Sequence, residues 1–211
     1  WGSVRIFVVN SFWFYSIIDS SKKMISNKKS SILLIVLFLI MFQFTNKSNA
    51  EYDKLIYEFN IESITGDNIN FSNYKNKAIL LVNVASQCGF TGQYKDLQNL
   101  WDKYKKKGLI VIGLPTNQFG NQEPGNNEQI KKFCEVNFNV NFPLTTKINV
   151  KGDDADPIYK WAFKNYGKKA IPRWNFYKIL INKKGKIEKT YSSMTNPMSK
   201  KLLNDIERVL N

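Results

Sequence analysis

Cys88 is the residue best placed to do chemistry in this chain. It stands in Ser86-Gln87-Cys88-Gly89-Phe90-Thr91, three residues beyond a mostly apolar, β-branched run and just ahead of a segment with helical spacing. That is the carboxyl end of a strand, where ligands of open α/β sheets bind. It is also the start of a helix, whose free backbone N–H groups and partial positive charge favour a thiolate. A thiolate can attack the O–O bond of a peroxide and become a sulfenic acid. The competing reading is an inert core cysteine, because free cysteine is among the most buried residue types. Gly89 and the polar neighbours speak against a closed apolar site.

Cys134 is the other cysteine, 46 positions later. It shares an apolar helix face with Ile130 and Phe133, a pattern that fits a core position. A redox role stays open because nothing else in the chain could resolve a sulfenic acid as a disulfide. The two do not form a C-x-x-C pair and cannot build a four-thiolate metal site. With no histidine in the chain, Ser-His and Cys-His catalysis and histidine zinc ligation are excluded. We expect no metal and no cofactor.

Three further residues have side chains suited to holding a thiolate and steering a peroxide. Gln118 lies in Leu114-Pro115-Thr116-Asn117-Gln118-Phe119-Gly120, and Trp174 and Asn175 lie in Pro172-Arg173-Trp174-Asn175-Phe176. Amide and indole N–H groups are the donors a site without histidine would use. Each segment also reads as ordinary loop chemistry or packing, and each is weak by itself.

The elements that would position these residues follow from periodicity. Tyr52 to Ile64 alternates as a strand or hairpin that ends at Thr65-Gly66-Asp67-Asn68. Ala78 to Ala85 and Leu109 to Leu114 are apolar runs, the mark of strands buried on both faces. Gly92 to Lys107 has helical spacing that stops at Gly108, Asn126 or Asn127 can cap a second helix, and Asp156-Pro157 opens a third. Asn175 to Ile181 and Ile187 to Ser192 read as a strand pair, and Met198 to Leu210 as a closing helix. That order predicts an α/β domain with a mixed central sheet flanked by helices, of thioredoxin type.

The 211 residues suit one good-sized domain. We expect that domain at 51–211, behind a hydrophobic leader at 1–50. From Met24 the sequence has Lys28-Lys29, an apolar run from Ile32 to Phe42 and then Ser48-Asn49-Ala50. This is the layout of a signal peptide cleaved after Ala50, and the run is too short to span a bilayer. The leader would take the chain into the secretory route, towards a secretory compartment or a plastid-like organelle; without it the chain would stay in the cytosol. The net charge of +14 comes from dispersed lysines, with arginine only at positions 5, 173 and 208. Such a surface is no nucleic-acid footprint, which usually clusters basic residues and adds arginine.

Three blocks together strongly resemble the glutathione peroxidase family: Asn83-Val84-Ala85-Ser86-Gln87-Cys88-Gly89, Asn117 to Gly125, and Trp174-Asn175-Phe176. The resemblance runs from about Glu51 to the C-terminus. It implies a thioredoxin fold and a Cys88–Gln118–Trp174–Asn175 tetrad, with Cys88 peroxidatic and the other three its hydrogen-bonding supports. Selenium-containing members carry selenocysteine where this chain has Cys88, which implies slower chemistry. Lys132-Phe133-Cys134 matches the resolving region of the non-selenium branch, which implies that Cys134 closes a disulfide with Cys88. That branch implies thioredoxin as reductant, with glutathione possible but poorer, and hydrogen peroxide or organic and lipid hydroperoxides as substrates. The short stretch from Gly167 to Trp174 implies a monomer. Two rivals remain: a redox sensor that passes its disulfide to a client, and a thioredoxin-fold binding module without turnover.

Overall fold

Two apolar runs make the centre of the molecule, a computed structural model that describes residues 52–211. Strands β3 (Ala78–Val84) and β4 (Leu109–Pro115) pair in parallel, Ala78 opposite Leu109 and Val84 opposite Pro115, and every residue of both is buried. β5 (Lys178–Ile181) runs antiparallel to β3, and β6 (Ile187–Tyr191) antiparallel to β5, giving the order β4-β3-β5-β6. A separate hairpin pairs β1 (Asn60–Glu62) with β2 (Asn68–Asn70). Helix α1 (Gln93–Tyr104) links β3 to β4. Helices α2 (Asn127–Phe138) and α3 (Pro157–Tyr166) lie between β4 and β5, and α4 (Lys200–Leu210) closes the chain. This four-stranded, helix-flanked mixed sheet is a thioredoxin fold, as expected. The expected leader at 1–50 lies outside the described residues. Among the described residues no helix is long and apolar enough to cross a membrane.

Alternation along the strands sends side chains to two cores. Leu80, Val82 and Val84 pack with Tyr94 and Leu97 of α1, Ile130 and Cys134 of α2, and Leu202 and Ile206 of α4. Ile79 and Leu81 pack on the other face with Ile112, Ile158 and Trp161. Helix ends sit where the expected signals place them. Gly108 takes a left-handed φ of 98° after α1, and Asp156 caps α3 through Ile158 N at 2.8 Å. Asn126 and Gln129 form a capping box at the start of α2, and Asn139 ends it in the left-handed region.

Two expectations are corrected. The strand read from Asn175 begins only at Lys178. Phe176 adopts a left-handed φ of 62°, which breaks any strand there, and its N–H donates to Asn83 O at 2.6 Å. The Tyr52–Ile64 segment holds a short 3₁₀ turn at Ile56–Glu58 before the three-residue β1.

Lys178 is wholly buried, its Nζ donating to Gln93 Oε1 and Phe176 O, each at 2.7 Å. Burial pushes this ammonium down to about 7 from an ordinary 10.5. The unfolded chain therefore takes up this proton well above the pH at which the folded protein does. Stability falls as pH drops from near 10.5 to about 7 and is flat below on this account. Lys178→Met, compared with wild type by thermal melts, should gain on it steadily across that window. A melting difference independent of pH would contradict the assignment.

Candidate active site

The topology collects the chemistry-bearing segments at one end of the sheet. β3 and β4 run parallel, so their carboxyl ends, leading to Cys88 and to Gln118, lie side by side. β5 is antiparallel to β3, so the turn that precedes it, with Trp174 and Asn175, reaches the same end. Asn83 stitches the first and third segments together. Its Nδ2 donates to Trp174 O at 3.1 Å, and its Oδ1 accepts from Tyr177 N at 3.1 Å. Gln87 N donates to Gln122 O at 3.0 Å, and Thr116 N to Val84 O at 3.1 Å, which tie in the second.

Cys88 sits in a tight turn built by Thr91. The Thr91 hydroxyl donates to Ala85 O at 3.0 Å and accepts from Cys88 N at 2.9 Å. The turn aims the Phe90 N–H at the Cys88 Sγ, 3.4 Å away. That donor is worth most to a sulfur carrying negative charge. Cys88 is buried at 8% exposure, just beyond the carboxyl end of β3. Periodicity points to the position of Cys88, but neither the Thr91 brace nor the Phe90 donor is visible in it. A threonine three residues after the cysteine is the only trace.

None of the three expected supports hydrogen-bonds the Cys88 sulfur among the described residues. Trp174 is 39% exposed and tilts against Phe119, ring centroids 5.9 Å apart. Asn175 is wholly buried, its Nδ2 donating to Gln122 Oε1 at 3.0 Å and Phe119 O at 3.4 Å, with its Oδ1 unpartnered among the described residues. Gln118 turns to a neighbouring loop. Its Oε1 accepts from Val150 N at 2.7 Å and Lys151 N at 3.0 Å, and its Nε2 donates to Lys151 O at 3.0 Å. Phe119 and Gln122 thus join the three segments, and the backbone N–H of Phe90 is the group on the thiol. Asn117 does loop chemistry, its Oδ1 accepting from Glu123 N at 2.8 Å.

Cys134 lies wholly buried on α2, in the same core as Cys88, and both thiols are free. Burial pushes its thiol up to about 12, against the pull of the Tyr94 hydroxyl, while Glu123 and Glu135 add to the rise. In place it is an inert thiol. Glu123 is a buried residue that periodicity and turn signals missed, because Glu123-Pro124-Gly125 reads simply as turn residues.

The glutathione peroxidase family model matches residues 56–163. The chain belongs to the glutathione peroxidase family. The glutathione peroxidase-like peroxiredoxin gpx1 of Schizosaccharomyces pombe is 49% identical over 147 residues, spanning 69% of this chain and 92% of that one. The hydroperoxy fatty acid reductase gpx1 of a Synechocystis strain is 39% identical over 169 residues, 76% of this chain and 99% of that one. The solved apo structure of Trgpx superposes with a TM-score of 0.60 at 35% identity, covering 75% of this chain and 96% of that one. This glutathione peroxidase relative is a thiol peroxidase. Its two thiols occupy opposite environments. One is braced at a helix start with an N–H on its sulfur, and the other is sealed in the core.

Proposed function

We propose that this chain reduces hydroperoxides at Cys88, resolves the product with Cys134 and is recycled by thioredoxin. The observation that carries the reading is the Phe90 N–H on the Cys88 Sγ, in a turn braced by Thr91 at the start of α1. The thiolate attacks one peroxide oxygen, the O–O bond breaks, and the second oxygen leaves as water or alcohol once protonated. Cys88 is left as a sulfenic acid. Cys134 then displaces its oxygen to give the Cys88–Cys134 disulfide. A dithiol reductant opens an internal disulfide by exchange within one mixed intermediate, which favours thioredoxin over the monothiol glutathione. No cofactor enters this cycle, and hydrogen peroxide, alkyl and lipid hydroperoxides all offer the same O–O bond. The protein works as a monomer, and the leader at 1–50 directs it into the secretory route. Peroxide consumption with thioredoxin and glutathione offered separately tests the reductant. Faster turnover with thioredoxin is expected, and equal or faster turnover with glutathione contradicts it.

In this reading Gln118, Trp174 and Asn175 order the mouth around Cys88, and the two amides turn from Lys151 O and from Gln122 and Phe119 to join the indole as donors to the departing oxygen. One well-placed donor to developing charge contributes about 2.7–4 kcal/mol. Gln118→Ala and Asn175→Ala should each slow the second-order reaction with peroxide, by up to about 10²–10³-fold. Unchanged rates in both variants would remove these residues from the chemistry.

A further inference from the structure

Glu123 is only 1% exposed, and its Oε2 has no hydrogen-bond partner among the described residues. Burying a carboxylate so poorly satisfied is costly, and such arrangements concentrate at functional sites. Three other buried oxygens of this region lack a hydrogen-bond partner among the described residues: Ser86 Oγ, two residues before Cys88, Tyr94 OH and Asn175 Oδ1; Ser86 is nonetheless near enough to ease the Glu123 charge. A cavity of about 390 Å³ separates the Cys88 loop from α2, with Ser86 and Gln87 on one side, Ile130 and Phe133 on the other, and Glu123 between. Cys134 follows Phe133 directly, beside the Tyr94 hydroxyl, and the Glu123 charge is felt at both groups. The cavity thus brings the loop that carries Cys88, the Glu123 side chain and the α2 residue next to Cys134 around one open space.

We propose that the Glu123 carboxylate is the proton acceptor for the Cys134 thiol when the disulfide forms. This rests on the reading of Cys134 as the resolving thiol. The Cys134 S–H bond breaks, its proton passes to Glu123, and the sulfur lone pair attacks Cys88 Sγ. The S–S bond forms as the S–O bond of the sulfenic acid breaks. The departing hydroxide takes the proton from Glu123 and leaves as water. The Cys134 sulfur is oxidised and the Cys88 sulfur reduced by one formal step each, so no further reactant is needed and Glu123 ends as it began.

The electrostatics suit the task. Cys134, pushed up to about 12, does not ionise unaided near neutral pH. Burial pushes Glu123 up to about 6, opposed by Ser86 and Lys147, so it is ionised at neutral pH yet more basic than an ordinary carboxylate. The titratable groups around it are Tyr94 from α1, Cys134 from α2 and Lys147, whose Nζ donates to Glu123 O at 3.2 Å and Gly125 O at 2.8 Å. Glu135 adds its charge at Cys134.

The test follows sulfenic acid and disulfide separately in the full chain, by rapid quench and intact mass after one equivalent of hydrogen peroxide. In Glu123→Gln the disulfide step should be about 10²-fold slower, the lower range for a positioned acid–base group. In wild type that step should rise with pH through about 6 and then level, and Glu123→Gln should lack the rise. Glu123→Asp keeps a carboxylate and should keep a rise, which also serves if the Gln variant does not fold. A wild-type rate of disulfide formation in Glu123→Gln, or a wild-type step that is flat from about pH 5 to about pH 8, overturns the proposal. Absence of any Cys88–Cys134 disulfide in wild type would instead refute the resolving role of Cys134, and this inference with it.

Discussion

Cys88→Ser is expected to lose hydroperoxide turnover by at least about 10³-fold, the scale of removing an enzyme nucleophile. Serine keeps the shape of the side chain, and its hydroxyl accepts from Phe90 N in place of the sulfur. The turn held by Thr91 uses the backbone of Cys88 and the hydroxyl of Thr91, neither of which changes. Circular dichroism and the melting temperature should therefore match wild type. A serine hydroxyl stays protonated at neutral pH and is a poor nucleophile towards an O–O bond. Activity surviving in a folded Cys88→Ser protein would move the chemistry to another residue.

Cys134→Ser should behave differently. It should complete one turnover, accumulate the Cys88 sulfenic acid and then stop with thioredoxin, losing steady-state turnover by about 10²-fold or more. The large effect follows from the division of labour between the thiols, since Cys88 alone presents no internal disulfide for a dithiol to open. A disulfide needs Cα atoms within about 7 Å and facing Cβ vectors. Cys134 is wholly buried in the middle of α2, and this account expects the helix to open locally as the bond forms. Val136, Asn137 and Phe138 have low helical propensity and favour opening. The capping box at Asn126 and the left-handed Asn139 oppose it, so opening is local and has to be driven by the new bond. Hydrogen exchange over residues 128–138 should rise on oxidation. Equal protection in both redox states, with the disulfide present, would mean that the thiols meet without unwinding.

The contrast between the two cysteines shows which parts of the molecule could be read from sequence. β3 and β4 were legible almost to the residue, because seven buried positions in a row leave a short, β-branched apolar run bounded by turn residues. The strand end and helix start around Cys88 followed from it. The start of β5 was misread, because a left-handed aromatic such as Phe176 is rare and is held there by Asn83, 93 positions away. The partners of Gln118 were illegible for the same reason, since they are backbone groups of the distant Val150–Lys151 loop. Cys134 read as a core residue from its helix face, and it is one. Only the family resemblance gives it a redox part. Glu123 was hidden because turn residues are ordinarily exposed, and its burial depends on how the 117–125 loop folds under α2.

The central claim is that oxidation begins on Cys88 and ends as a bond to Cys134. Intact and peptide mass spectrometry after one equivalent of hydrogen peroxide, quenched over a series of times, addresses it directly. The account predicts a transient gain of one oxygen on the Cys88 peptide. That species should give way to a form lighter than the reduced chain by two hydrogens, with the Cys88 and Cys134 peptides joined. A first oxygen on Cys134, or a sulfenic acid on Cys88 that never yields the joined peptides in the wild-type chain, would contradict it.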